Sequence, residues 1–329
     1  MASIREVAKL AGVSPATVSR VMNGTANVDQ EKVLRVKRAI EETGFKPNQV
    51  ARALFKKSSR VIGVIAPDID NPFFNEMAKA IEGEAYRQGY RILLCYSENN
   101  VEKERDSIRM LSSMNADGII LMTNHQEVED EVEACELPVV VLDRTVRMDR
   151  GIACIQADNY AGGQIATEHL IQCGCRNIVN VCGPQRFSSA RQRYQGYLDA
   201  CRHFGHQVQM IECDYNFADG LVVAEQILQQ YPAVDGIMAC DDIVAIAIYK
   251  VLNRAGYRVP EDIQLIGFDN VMLGTMFTPE LTTVEQPICQ MGKTAVNMVI
   301  NYMKENTIQK DQVFPVRLVQ RQTTILKKK

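Results

Sequence analysis

Several aspartates follow apolar, strand-like runs, in positions where carboxylates can accept hydrogen bonds from a ligand. They end the runs IAPDIDN, VVVLDR, IMACDD and LIGFDN, and Arg144 directly follows one of them. In open α/β sheets, ligands bind beyond the carboxyl ends of the strands. Acceptors grouped there with a guanidinium donor indicate a site for a molecule rich in hydroxyl groups. The aspartates are Asp68, Asp70, Asp143, Asp241, Asp242 and Asp269.

Two other interpretations of these acids remain. Each aspartate could instead cap the helix that follows it, although carboxylates at four strand ends favour a shared site. Carboxylates could also perform acid–base hydrolysis, but the chain lacks G-x-G-x-x-G, Walker, G-x-S-x-G and H-E-x-x-H motifs. Its four histidines, His125, His169, His203 and His206, are not expected at strand ends beside these acids. We therefore predict that the protein is not an enzyme.

The elements that must position the acids alternate between apolar runs and helical stretches. Such alternation predicts an α/β fold with buried parallel sheets. The runs are too numerous for one open sheet, so we expect two doubly wound parallel-sheet lobes with a cleft between them. The runs span residues 60–67, 90–97, 116–122, 137–143, 151–158, 177–183, 207–213, 235–240 and 263–269.

The N-terminus has a different pattern, that of short capped helices. Ser3 and Glu6 form a capping-box pattern, and Gly12 favours the end of a first helix. Ser14 and Pro15 then suit the start of a second helix. Two helices joined by a tight turn within about twenty residues predict a helix-turn-helix that binds DNA.

The charge distribution supports this interpretation. Residues 1–60 contain 12 Lys and Arg against 5 Asp and Glu, whereas the whole chain has a net charge of −3. The first 60 residues are therefore basic and the remainder is acidic, as expected when only the N-terminal domain meets phosphates. The charge shift and a Lys/Ser-rich stretch place a domain boundary near residue 60. A merely solvated basic face is the alternative.

Composition excludes several classes of protein. Hydrophobic content of 46% and charged content of 23% are typical of soluble globular proteins, and no apolar run approaches the roughly 20 residues of a membrane span. The N-terminus lacks the apolar region of a secretory signal, so we expect a cytoplasmic protein. The ten cysteines lie mostly in apolar runs without zinc spacing. We therefore predict no metal, disulfide or cofactor.

The chain resembles the lac/galactose repressor family of bacteria along essentially its whole length. The resemblance lies in SIREVAKLAGVSPATVSRVMNG, VARALFKKSSRVIGVI, DNPFF, VVLDR and GFDN, and the body of this family is similar to periplasmic sugar-binding proteins. It implies a helix-turn-helix headpiece at 1–47, a hinge helix and linker at 48–59, and a two-lobed effector-binding and dimerisation domain at 60–329.

The resemblance also implies which headpiece residues contact DNA. The second helix would lie in the major groove, with Pro15, Ala16 and Arg20 facing bases; the guanidinium of Arg20 suits guanine. In the hinge, Leu54 would wedge into the minor groove, unless it simply packs on the body. Helix packing is likewise the alternative for Thr17 and Ser19. The implied set is Ser14, Pro15, Ala16, Thr17, Ser19, Arg20, Asn23, Arg52 and Leu54.

In the body, the resemblance implies a sugar pocket. Aromatic walls would contact the ring and charged groups would bind its hydroxyls; core packing is the alternative for Phe74 and Tyr215. Asp241 departs from the Asn that sugar-binding relatives often have. The set looks most like a ribose pocket, although another pentose or a hexose shares most of it. Its members are Asn71, Phe73, Phe74, Asp143, Arg144, Arg193, Tyr215, Asp241, Asp269 and Gln286.

Together these features predict a sequence-specific repressor of a sugar-utilisation operon that a small sugar, ribose first, releases from its operator. Alternatives are another sugar, a corepressor that tightens DNA binding, or a phosphoprotein corepressor. From other classes, a sugar-active hydrolase and a transport-type binding protein are the rivals. With no leucine heptads after PVRLVQRQTTILKKK, we expect a homodimer and not a tetramer; its last strand should span residues 316–324.

Overall fold

The computed structural model describes residues 2–24, 28–45, 58–123, 125, 127–144, 153–305 and 311–326. The chain divides into two compact units, Met1–Ser59 and Arg60–Lys329. The predicted hinge positions Arg52 and Leu54 lie outside the described residues, as does the side chain of Asn23.

In its described residues, 2–24, 28–45 and 58–59, the N-terminal unit contains three helices: α1 (Ile4–Ala11), α2 (Pro15–Asn23) and α3 (Gln30–Thr43). The predicted capping box is confirmed, because the Ser3 and Glu6 side chains each accept the other residue's backbone N–H. Gly12 ends α1 with a φ of 62°, a left-handed conformation that glycine adopts without steric cost. Val7, Val18 and Val36 form the centre of the small core that the three helices enclose.

The second unit contains two six-stranded sheets, each the centre of one lobe. Lobe 1 has the order β11-β5-β4-β3-β1-β2, entirely parallel, and lobe 2 the order β12-β10-β9-β8-β6-β7, parallel except for the edge pair β10–β12. The strands of lobe 1 are β1 (Val61–Ala66), β2 (Arg91–Tyr96), β3 (Gly118–Leu121), β4 (Val139–Leu142), β5 (Ala153–Ala157) and β11 (Gln312–Phe314). Those of lobe 2 are β6 (Ile178–Cys182), β7 (Gln209–Glu212), β8 (Gly236–Met238), β9 (Gln264–Asp269), β10 (Thr282–Glu285) and β12 (Arg317–Val319).

Helices connect the strands, as parallel pairing requires. Lobe 1 has α4 (Pro72–Arg87), α5 (Val101–Ser113), α6 (Glu129–Ala134) and the late helix α12 (Ile288–Glu305). Lobe 2 has α7 (Asn159–Gln172), α8 (Ser188–Phe204), α9 (Phe217–Gln230), α10 (Asp242–Arg254) and α11 (Leu273–Met276). The chain therefore passes between the lobes three times, after β5, after β10 and after β11, so each lobe combines distant parts of the sequence.

The predicted fold class is confirmed: all nine apolar runs form strands β1 to β9. The sequence reasoning missed β10 and β11, which are short and contain polar residues such as Thr282 and Thr283. The last strand was predicted too long, because β12 ends at Val319. Beyond β12, Thr323 forms hydrogen bonds with the backbone of Leu265. These bonds do not continue into a further strand. None of the helices in the described ranges is long and apolar enough to cross a membrane.

Candidate functional site: the cavity between the lobes

A cavity of about 230 Å³ lies between the two lobes, beyond the carboxyl ends of their strands. The structure brings all ten predicted pocket residues together around it. Of the other strand-end aspartates, Asp68 lines the cavity, whereas Asp70 and Asp242 do not. The lining residues that the sequence reasoning did not select are Asn99, Arg186, Phe187, Ser189, Asp214 and Asn216.

On the lobe 2 side, Arg193 is the centre of a hydrogen-bonded network. Its Nε donates to Asn159 Oδ1 at 2.8 Å and its Nη1 to the Cys240 carbonyl at 2.7 Å, and its Nη2 lies 3.7 Å from Asp269 Oδ1. That same oxygen accepts a 2.6 Å hydrogen bond from Gln286 Nε2. The lobe 2 half of the site is therefore built before any ligand arrives.

Close packing of α7 against α8 holds Arg193 in place. A Cβ added at Gly163 would lie 2.1 Å from the carbonyl oxygen of Arg193, and one at Gly196 would lie 2.2 Å from that of Tyr160. Both neighbours are backbone atoms, which cannot rotate away. The two glycines thus permit the helix contact that presents the guanidinium to the cavity.

Burial dominates the electrostatics of the lobe 2 carboxylates. Desolvation raises the pKa of Asp241 to about 6, against the opposing effects of Val244 N–H, Arg193 and Asn71. Burial likewise raises the pKa of Asp269, although Arg193 lowers it. Arg193 itself has a raised pKa: burial lowers it, but Tyr215, Asp269 and Asp143 more than offset that effect.

On the lobe 1 side, Asp143 and Arg144 follow β4 and have few partners in the part of the chain that the structure describes. The two side chains lie 3.5 Å apart, Nε to Oδ2. Neither Arg144 Nε and Nη1 nor Asp143 Oδ1 forms a hydrogen bond with any described residue, although all three atoms are buried. Burial lowers the pKa of Arg144, while the charge of Asp143 raises it. These donors and acceptors are available to a ligand.

Among the described residues, a hydrogen bond and aromatic side chains bring the two lobes together at the cavity. Asn71 Nδ2, at the start of α4, donates to Asp241 Oδ2 at 3.2 Å. Phe73 and Phe74 pack edge to face with ring centroids 5.3 Å apart. On the other side of the cleft, in lobe 2, the rings of Tyr215 and Phe187 stack with their centroids 6.2 Å apart. Within the described chain the Tyr215 hydroxyl has no hydrogen-bond partner. Aromatic faces and unsatisfied polar groups thus surround the same space.

Asp143 and Asp269 occupy matching places in the two lobes, at the ends of β4 and β9. Both have a positive φ, 73° and 108° respectively, which is uncommon for residues other than glycine. Such strain persists where surrounding structure fixes it, typically at a ligand site.

Asp242 has a structural role. Its carboxylate accepts hydrogen bonds from Thr283 Oγ1 at 2.6 Å and from Val271 N at 2.8 Å, and burial raises its pKa to about 8. It therefore links the start of α10 to β10 and to the segment after β9. The capping alternative instead applies to Asp241, whose Oδ1 accepts a hydrogen bond from Val244 N at 2.7 Å at the start of α10.

The missed lining residues share a position that sequence could have indicated. Asn99 follows β2, Arg186 and Phe187 follow β6, and Asp214 follows β7. The rule that ligands bind beyond strand ends covers these loops as well as the four chosen. No motif marks Phe187 itself, because its importance arises from a contact with Arg144 in the other lobe.

In the headpiece, α2 presents a mixed surface. Ser14 Oγ accepts a hydrogen bond from Thr17 N at 3.2 Å, so it caps the helix as predicted. Pro15, Ala16 and Arg20 are exposed, whereas Thr17 and Ser19 are half-buried. The exposed face is therefore the one that the sequence reasoning assigned to bases.

Comparison with known protein families gives a match for each of the two units. Residues 59–322 match the model described as periplasmic binding proteins and sugar binding domain of the LacI family. Residues 3–48 match bacterial regulatory proteins of the lacI family. The chain belongs to the LacI family.

Individual relatives indicate a more specific function than the two family models do. A ribose operon repressor from Halalkalibacterium halodurans is 38% identical over 98% of this chain and 97% of its own. The lac repressor dimer bound to operator is 26% identical, with a TM-score of 0.88 and 98% of both chains covered. This chain is therefore a sugar-responsive DNA-binding repressor and not an enzyme.

Two structures of sugar-bound regulators match the body. A LacI family regulator from Enterococcus faecalis with bound ribose is 30% identical, with a TM-score of 0.73, covering 82% of this chain and 100% of its own. A regulator from Alkaliphilus metalliredigens complexed with D-xylulofuranose is 34% identical, with a TM-score of 0.74, covering 81% and 99%.

Proposed function

We propose that this LacI family repressor acts in the cytoplasm as a homodimer, binds the operator of a sugar-utilisation operon, and is released by ribose. The observation that supports a sugar ligand most directly is the set of buried polar atoms around the cavity without hydrogen bonds in the described ranges. The set is Asp143 Oδ1, Arg144 Nε, Arg144 Nη1, Tyr215 Oη and Gln286 Oε1.

The chemistry of these five atoms suits a polyol. The two Arg144 nitrogens only donate, the Asp143 and Gln286 oxygens only accept, and the Tyr215 hydroxyl does either. Sugar hydroxyls both donate and accept, so they can pair with each of these kinds of atom. Buried polar groups left unpaired cost about 1–3 kcal/mol each, which gives a sugar a large advantage over an apolar ligand.

The relatives favour a five-carbon sugar. The Halalkalibacterium relative is named for the ribose operon, and the Enterococcus structure holds ribose. The Alkaliphilus structure instead holds a ketopentose, so D-xylulose is the second candidate effector. The departure at Asp241, a carboxylate in place of an amide, adds an acceptor near the sugar and removes a donor.

Isothermal titration calorimetry with D-ribose, D-xylulose and D-glucose tests the effector. We expect ribose to bind at least ten times more tightly than glucose. Binding of xylulose alone would transfer the assignment to the ketopentose. Absence of binding to all three sugars would contradict both the ribose and the xylulose assignment.

For the DNA, we propose that Arg20 reads a base edge from the exposed face of α2. Thr17, Ser19 and Asn23 contact phosphates, and Arg52 and Leu54 act in the minor groove. Anisotropy of labelled DNA from upstream of the chain's own gene tests this, with R20A against R202A, an exposed arginine of the body. Loss of a bidentate contact should weaken DNA binding by R20A by about 1–3 kcal/mol. Equal DNA affinity of the two variants would show that Arg20 does not contact a base.

A two-fold dimer presents two headpieces, so a near-palindromic operator is expected. Light scattering that shows a stable tetramer without DNA would contradict the dimer. Sugar binding that draws the lobes together can change DNA affinity about 5–150-fold through 1–3 kcal/mol of coupling. Tighter DNA binding with sugar would identify a corepressor instead.

A further inference from the structure

Phe187 occupies an unusual place at the cavity. It precedes α8 in lobe 2 and is 6% exposed. The guanidinium carbon of Arg144 lies 3.7 Å from the centre of its ring, and that of Arg186 lies 4.5 Å away. Tyr215 packs alongside, with an angle of 22° between the rings. The ring of Phe187 thus contacts two guanidinium groups and a second aromatic ring.

The contact with Arg144 matters because few other described residues lie close enough to orient that side chain. Arg144 Nε and Nη1 have no hydrogen-bond partner among the residues described, and its nearest carboxylate oxygen, on Asp143, lies 3.5 Å away. Attraction between a cation and an aromatic face is strongest where water is excluded, and Arg144 is buried. Of the two aromatic rings near the guanidinium, that of Phe187 at 3.7 Å is much closer than that of Tyr215 at 6.0 Å, so it is the ring placed to orient the group.

Arg144 belongs to lobe 1 and Phe187 to lobe 2, so their contact exists only when the lobes meet. We infer that Phe187 is a positioning residue, which orients the Arg144 guanidinium toward the sugar as the cleft closes. This inference rests on the proposed sugar site. The contact is present in this arrangement of the lobes, so the ring holds the lobe 1 donor in place whenever the lobes are together, and separation of the lobes would remove that orientation.

A double-mutant cycle with D-ribose tests the inference. F187L removes the ring but keeps apolar bulk, and F187Y keeps the ring. Ribose affinity should fall about 10- to 30-fold in F187L, the strength of a desolvated cation–π contact, and by less than about 3-fold in F187Y. In the R144M background, F187L should cost less than about 3-fold, because the group that it orients is already gone. Equal losses from F187L in both backgrounds would overturn the positioning role.

A second readout needs no sugar. In ligand-free protein we expect F187L to lower the melting temperature by about 2–4 °C, and by less than half as much in the R144M background. F204L, at the exposed far end of α8, should give the same small shift in both backgrounds. Wild-type protein that fails to bind ribose while this coupling is present would contradict only the effector. Absence of coupling would contradict the inference whatever the effector is.

Discussion

The two halves of the cavity have the same architecture but differ in how many of their polar atoms are hydrogen-bonded. In lobe 2, Arg193 bonds Asn159 and the Cys240 carbonyl and pairs with Asp269, which also accepts from Gln286. In lobe 1, the matching strand end presents Asp143 and Arg144 with buried atoms that no described residue satisfies. Lobe 2 is thus a preformed platform, and lobe 1 completes its bonding only with a ligand and with lobe 2. Substitutions in lobe 2 should affect stability and binding together, and those in lobe 1 mainly binding.

The largest effect is expected from R193M. Removing the guanidinium leaves Asp269 and the Asn159 amide oxygen without their buried partner, which should lower the free energy of unfolding by about 3–5 kcal/mol. Ribose binding should be lost as well. Urea denaturation measures the stability, with R202M as the exposed control. A stable R193M would show that the lobe 2 network is not a platform.

D241N should raise the free energy of unfolding, and the size of the increase should depend on pH. Burial raises the pKa of Asp241 from 3.8 to about 6. Between these values the folded protein binds more protons than the unfolded chain, so stability falls as pH rises and stays lower above pH 6. The loss is at most about 3 kcal/mol.

Asparagine can keep the cap of α10 that Asp241 Oδ1 forms with Val244 N. D241N should therefore be more stable than the wild type at pH 7 and equal to it near pH 3. The charge of Asp241 also raises the pKa of Asp242 and of Asp269, so the difference between the two stability curves reports Asp241 together with its effect on these two neighbours. Parallel curves would refute the raised pKa.

G163A should displace Arg193 by disturbing the contact between α7 and α8. The added methyl group would meet the Arg193 carbonyl, so α7 and α8 must separate, at about 1–3 kcal/mol. Ribose affinity should fall because Arg193 moves. G83A is the matched control, since a Cβ at this helical position of lobe 1 meets nothing within 4 Å. Calorimetry that finds normal ribose affinity in G163A would separate helix packing from the site.

R144M should have the smallest effect on stability. Because Arg144 Nε and Nη1 have no hydrogen bond to lose among the described residues, we expect the free energy of unfolding to fall by no more than about 2 kcal/mol, the strength of a desolvated cation–π contact. Ribose affinity should fall about 10- to 100-fold, as for lost hydrogen bonds to a charged group. A strong loss of stability in R144M would erase the contrast between the lobes.

The sequence predicted the fold through its apolar runs, because a buried parallel strand is apolar along its whole length. It was less informative for β10 and β11, whose short polar segments resemble loops. Strand-end chemistry and family motifs selected the ten residues that the structure brings around the cavity. The Phe187–Arg144 contact could not be predicted, since it depends on where two loops distant in sequence meet. Neither could the raised pKa of Asp241, which depends on burial.

Anisotropy of the repressor–DNA complex during titration with D-ribose tests the central claim that a sugar held by both lobes controls DNA binding. The DNA is that upstream of the chain's own gene, and wild type is compared with R144M. At a ribose concentration that saturates only the wild type, we predict release of the wild type and retention of R144M, with equal DNA affinity before ribose is added. Release of both proteins at the same ribose concentration would contradict the claim.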